Sequence, residues 1–125
     1  MGIAVTDLEK AIADFSSLVE PSEIERISLE SEKVRIAMLK LGDSEIELLS
    51  PIENSGPIAR FLEKRGEGIH HIAVKVDDVS QAIENAKNRG FQLLDSTPRS
   101  AARGAQAAFV HPKSAHGVLL EFYNQ

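Results

Sequence analysis

Apolar positions fall at two spacings along this chain, and the two spacings recur in the same order. The run Gly2-Ile3-Ala4-Val5-Thr6-Asp7-Leu8 starts as a short extended segment and reaches an acidic residue suited to capping a helix. Leu8, Ala11, Ile12 and Phe15 then fall at i, i+3, i+4 and i+7, one face of an α-helix. At an offset of 71 residues, Ala73-Val74-Lys75-Val76-Asp77-Asp78-Val79 repeats the opening. Val79, Ala82, Ile83 and Ala86 repeat the helical stripe, and Gly90 is placed to stop that helix.

Three strand-like runs follow each predicted helix. They cover residues 23–30, 33–41 and 45–49 in the first copy, with Gly42-Asp43 as a turn, and 91–95, 106–111 and 118–123 in the second. The closing strands match as well: Glu45-Ile46-Glu47-Leu48 beside Leu119-Leu120-Glu121-Phe122. Each half thus reads β-α-β-β-β. Between them, Pro57 to Arg65 reads as a short helix with Pro near its start and Gly66 behind it. Half-modules of this size bury too little surface to stand comfortably alone. The expected fold is α+β, one domain over 1–125: module one 1–50, a linker helix region 51–68 and module two 69–125. The two modules are expected to form a curved mixed sheet with helices on its outer face.

Composition narrows the chemistry. The chain has no Cys, so disulfides, thiolate metal sites and a thiol nucleophile are excluded. No apolar run has the roughly 18 residues of a membrane span, and no basic-then-apolar leader opens the chain, so a cytoplasmic location is expected. The net charge of −5 argues against a general nucleic-acid binder.

Alternation along the strands sorts the polar groups. Ile46 and Leu48 share one face and Glu45 and Glu47 the other. Leu120 and Phe122 oppose Leu119, Glu121 and Tyr123. Ile72, Val74 and Val76 oppose His71, Ala73 and Lys75. The apolar faces are expected to pack under the helices. Glu47, His71 and Glu121 would then point into the hollow of the sheet. Each alone is compatible with an ordinary strand glutamate or a hydrogen-bonded histidine. Their equivalent places in the repeat make them a candidate O/N/O set for a divalent ion such as Mn, Co, Ni, Zn or Mg. His70 is assigned to the helix side as a core or rim residue, and His111 and His116 to loops.

These modules resemble the vicinal oxygen chelate (glyoxalase-like) superfamily and, within it, the methylmalonyl-CoA epimerase family. The resemblance rests on residues 2–8, the run Gly42-Asp43-Ser44-Glu45-Ile46-Glu47-Leu48-Leu49, the stretch Gly56-Pro57-Ile58-Ala59-Arg60-Phe61-Leu62, the segment Gly66-Glu67-Gly68-Ile69-His70-His71-Ile72-Ala73, and His111-Pro112-Lys113-Ser114 followed by Gly117-Val118-Leu119-Leu120-Glu121. It implies an isomerase that interconverts the C2 epimers of methylmalonyl-CoA. A divalent metal would chelate the substrate's carboxylate and thioester oxygens and stabilise the enolate formed when the C2 proton leaves. It puts metal ligands at Glu47, His71 and Glu121 and a catalytic base at Glu121. It also implies a homodimer, with no nucleic-acid or membrane partner.

The chain departs from the family pattern at three places. The family's first ligand, a His on strand one, would fall immediately upstream of Met1, so either the chain begins late or three protein ligands act with waters. A second family acid aligns with Ile36, Glu32 being the nearest acid. The family's Gly-rich segment reads Ser100-Ala101-Ala102-Arg103-Gly104, a stiffer and more basic loop. For the anionic CoA, candidate cations are Arg60, Lys64, Arg65, Arg99, Arg103 and Lys113, with Lys113 and Ser114 preferred as substrate-binding residues because they form the family-like turn. Alternative readings are a glyoxalase-like lyase acting on a thiol adduct and a non-catalytic binding protein on the same fold.

Overall fold

A computed structural model describes residues Met1–Gln125. The chain forms two compact units, Met1–His70 and His71–Gln125. The expected linker region therefore belongs with the first unit. Both units follow the β-α-β-β-β order that the repeat predicts, and each contains parallel and antiparallel pairs. No helix is long and apolar enough to cross a membrane.

The first unit contains β1 (Gly2–Ala4), α1 (Leu8–Val19), β2 (Glu23–Leu29), β3 (Val34–Leu41), β4 (Ser44–Pro51) and α2 (Pro57–Arg65). Asp7 caps α1 as predicted, its carboxylate accepting from the Lys10 N–H at 3.0 Å. β1 runs parallel to β4, with Gly2 opposite Glu47, while β2–β3 and β3–β4 are antiparallel. Gly42 at φ 63° makes the tight β3–β4 turn. Helix α1 lays its stripe over β3 and β4, so Val5, Ile12, Ala37, Leu39 and Leu48 form a closed core with Leu8, Ala11, Phe15 and Ile46 around it. Burying Leu39 and Leu48 completely contributes about 1.5–3 kcal/mol each. The Glu67 carboxylate accepts from both the Thr6 N–H (2.8 Å) and the Thr6 hydroxyl (3.2 Å), which ties the segment after α2 to the end of β1.

Strand β5 (Gly68–Lys75) leads into the second unit, which continues with α3 (Val79–Asn88), β6 (Arg99–Ser100), β7 (Gln106–Val110) and β8 (Leu120–Asn124). β5 and β8 are parallel, with Ile72 opposite Leu120 and Val74 opposite Phe122. β7 is antiparallel to β8 and to the two-residue β6. Asp78 caps α3 by accepting from the Gln81 N–H at 3.1 Å.

Two expectations are corrected here. Residues 91–95 do not form a strand. They keep one bridge, Leu93 to Val110, one backbone bond from the Leu94 N–H to the Phe109 carbonyl, and one from the His111 N–H to the Gln92 carbonyl. The reason is local: Asp95 accepts the Phe109 N–H with its side chain at 2.8 Å, in place of a backbone carbonyl. The short strand forms later, at Arg99–Ser100. The second correction concerns β5. Its alternation is as read, but Ile72 (37% exposed) and Val74 (41%) are not buried under a helix. Helix α3 sits over β7 and β8, packing Val79 and Ile83 on Ala108, and only Val76 at the end of β5 joins that cluster.

Candidate functional site

The buried side of β5 carries the chemistry. His71 is only 5% exposed, one of two buried polar residues in the chain. Its Nε2 lies 3.5 Å from an Oε2 oxygen of Glu121, whose side chain is 14% exposed. The pairing follows from strand geometry. Glu121 sits opposite Ala73 on the parallel neighbour, two residues along from His71 and on the same face. Phe109 sits opposite Glu121 on the other side of β8. Its ring meets the His71 imidazole edge to face, with centroids 6.1 Å apart and planes at 89°. The imidazole and carboxylate are therefore held at short range beside a ring, sheltered from bulk water. An N/O pair without thiolate is chemistry that suits a divalent ion of intermediate hardness, and the same carboxylate is placed to accept a proton.

A third group on this face was named in the sequence only as one of several cations. The Arg99 guanidinium lies over the Phe109 ring, 5.2 Å from its centroid. Asp95 holds it: one carboxylate oxygen accepts from Nε at 2.8 Å and lies 2.6 Å from Nη2. The other oxygen takes the Phe109 N–H. The sequence reading does not find this group because it ends an expected strand at Asp95 and leaves Arg99 among the scattered cations ahead of the next strand. Their spacing of four, acid then arginine beside Pro98, was the available signal.

Glu47 belongs to the first unit. It is partly buried on β4, on the face opposite Ile46 and Leu48, with Gly2 and Met38 as its strand neighbours. The Glu47 N–H donates to the Met1 carbonyl at 2.8 Å, so the start of β1 lies beside it. Ile36 shares this face and is buried. Within either unit, no group of three or more His, Asp and Glu side chains is arranged to hold a metal ion. His71 and Glu121 are thus brought together, and Glu47 is presented from its own unit.

The His111-Pro112-Lys113-Ser114 segment is a tight turn. His111 Nδ1 accepts from the Lys113 N–H at 3.0 Å, and the Ser114 hydroxyl accepts from the Gln92 N–H at 2.8 Å. Ser114 therefore fastens the turn to the segment after α3, and Lys113 is exposed. His111 and His116 are loop residues as expected. His70 stacks edge to face on Phe61 at 5.0 Å, and burial, helped by the nearby Arg65 charge, lowers its pKa.

Residues 1–109 match the Glyoxalase/Bleomycin resistance protein/Dioxygenase superfamily. The chain is 36% identical over 123 residues to the ethylmalonyl-CoA/methylmalonyl-CoA epimerase of Cereibacter sphaeroides, covering 97% of this chain and 92% of that protein. Its fold is similar to a hypothetical protein from Bacillus halodurans (42% identity, TM-score 0.91, 99% of this chain and 90% of that one). It is similar also to a variant of the Streptomyces coelicolor methylmalonyl-CoA epimerase in complex with 2-nitronate-propionyl-CoA (32% identity, TM-score 0.93, 99% and 90%).

Proposed function

The chain belongs to the Glyoxalase/Bleomycin resistance protein/Dioxygenase superfamily and, within it, to the family of the methylmalonyl-CoA epimerases; from that premise we propose that it interconverts the C2 epimers of methylmalonyl-CoA. The observation that carries this reading is the sheltered His71–Glu121 pair, an imidazole and a carboxylate at 3.5 Å in a protein without any thiol.

The C2 hydrogen of such a substrate lies between a thioester and a carboxylate. Its loss leaves an electron pair that spreads onto the thioester oxygen. Glu121 is the residue proposed to accept that proton. Its low exposure keeps the carboxylate away from competing water, and His71 beside it fixes which oxygen faces inward. A proton delivered to C2 on the opposite face from water in exchange with bulk solvent completes the epimerisation, and Glu121 returns its own proton to solvent.

The His71–Glu121 pair fits a divalent cation by donor type, and Glu47 is proposed as the third ligand on its correspondence in the repeat and the family. A divalent ion held by these residues would supply Lewis-acid stabilisation of the developing negative charge. Lys113 is proposed to meet the anionic carrier from its exposed turn, with Ser114 holding the turn in shape. A homodimer in the cytoplasm completes the proposal.

The test is incubation of one epimer of methylmalonyl-CoA in deuterated water, with and without added divalent ion. Deuterium at C2 and appearance of the other epimer are expected, faster with the ion. Turnover of a glutathione hemithioacetal in place of this exchange would favour the lyase reading. Tight binding of the thioester with neither reaction would favour a binding protein.

A further inference from the structure

We infer that Arg99 recognises the free carboxylate of the substrate, and that Asp95 is the residue that positions it. This rests on the proposed epimerase activity and deepens it, because it names a side chain that, beside any metal ion, would distinguish a carboxylated acyl-CoA from a plain one.

The geometry is continuous within the second unit. Glu121 and Phe109 are direct cross-strand partners, and the Phe109 and His71 rings meet at right angles. The guanidinium of Arg99 lies over that same ring. One aromatic ring therefore separates the cation from the imidazole. A ligand whose reacting carbon lies at Glu121 presents its short acyl group to this neighbourhood, while its long carrier leads away. Arg99 is suited to the acyl carboxylate on chemical grounds. A guanidinium forms paired charge-assisted hydrogen bonds with a planar carboxylate, and stacking on a ring reduces the rotamer freedom lost on binding. Its side chain is 38% exposed, so a ligand can reach it.

Asp95 supplies the preorganisation. One of its oxygens binds Arg99, and the other is anchored by the backbone N–H of Phe109, the residue under the guanidinium. The carboxylate, the arginine and the ring are thus fixed to a single strand position. Asp95 itself is nearly buried, so it acts through Arg99 and not on the ligand.

The experiment compares binding of methylmalonyl-CoA and propionyl-CoA, which share the thioester and the carrier but differ by the carboxylate. Calorimetric titration is done on the wild-type protein, on Arg99→Met, which keeps an apolar stem on Phe109, and on Arg99→Lys. Epimerisation by the wild type is measured first. The wild type is expected to bind the carboxylated ligand more tightly. Arg99→Met should weaken methylmalonyl-CoA by about 10- to 100-fold while propionyl-CoA stays within about 2-fold. Arg99→Lys should recover part of the loss. Asp95→Asn should raise KM by about 3- to 10-fold with kcat nearly kept, since a neutral amide holds the guanidinium less firmly. Equal weakening of both ligands in Arg99→Met would overturn the inference and assign the arginine to the carrier's phosphates or to the fold. An unchanged preference would overturn it too. An Asp95→Asn protein that loses thermal stability with no change in KM would overturn the positioning role. A wild type that neither binds nor epimerises methylmalonyl-CoA would instead remove the activity on which the inference stands.

Discussion

The two units share a β-α-β-β-β order and spend their apolar side chains differently. In the first, α1 lies squarely over β3 and β4, and Leu39 and Leu48 are sealed beneath it. In the second, α3 lies over the equivalent strands β7 and β8 but reaches only Val76 at the end of β5, and Ile72 and Val74 stay exposed. An apolar cavity of about 290 Å³ lies beside α3, lined by residues that include Ala82, Ala86, Phe91, Leu120 and Phe122. The second unit instead buries a histidine and most of a glutamate on its other face. Sequence repetition therefore fixes topology without fixing which face is sealed. A module that carries reactive polar groups accepts looser packing around its helix.

The largest effect that would sharpen this contrast lies at Glu121. Glu121→Gln keeps size and an oxygen but cannot act as a carboxylate base. Deuterium incorporation at C2 should fall by about 10²–10⁴, with an unchanged circular dichroism spectrum. A Gln variant with near-normal exchange would reduce Glu121 to an ordinary strand residue.

Packing should show the opposite bias. Leu48→Ala opens a void in a closed core and should cost about 2–5 kcal/mol in urea unfolding. Ile72→Ala, on the open face, should cost less than about 1 kcal/mol. Similar costs at both positions would break the comparison.

A smaller effect is expected on the exposed turn. Lys113→Glu should raise KM for the acyl-CoA several-fold, while the same reversal at Lys87, in the last turn of α3, should leave it nearly unchanged. Equal shifts at the two lysines would remove Lys113 from the substrate path. The smallest effect concerns the cavity. Ala82→Leu adds a helix-favouring side chain beside it and should raise stability by about 0.5–2 kcal/mol. A loss in thermal midpoint would mean that the space is already closed in solution.

Much of this molecule was legible in its sequence, for identifiable reasons. Capping acids at Asp7 and Asp78 and stripes such as Leu8, Ala11, Ile12 and Phe15 are local signals, and the structure has a helix at each. Pro57 and Gly66 bracket α2 in the same local way. The pairing of His71 with Glu121 was legible because alternation and parallel register are nearly deterministic once two strands are neighbours. The exposure of Ile72 and Val74 was not, because it depends on where a helix comes to rest, and no local pattern encodes that. Residues 91–95 misled because their apolar composition suits a strand while Asp95 diverts the hydrogen bond that a strand would need. The Asp95–Arg99–Phe109 group became visible only when β7 brought a distant ring under the arginine.

The bond between Glu67 and Thr6 spans 61 residues of chain and closes the first unit on itself. Its consequence appears during synthesis. A nascent chain that has emerged only through β4 holds all the strands of the first module but lacks both the buried Ile58 of α2 and the carboxylate that locks the end of β1. The repeat boundary visible in the sequence is therefore not a point at which folding can finish. A ribosome-stalled chain ending near residue 50 should be cut rapidly by protease, and one carrying α2 and Glu67 clear of the exit tunnel should resist it.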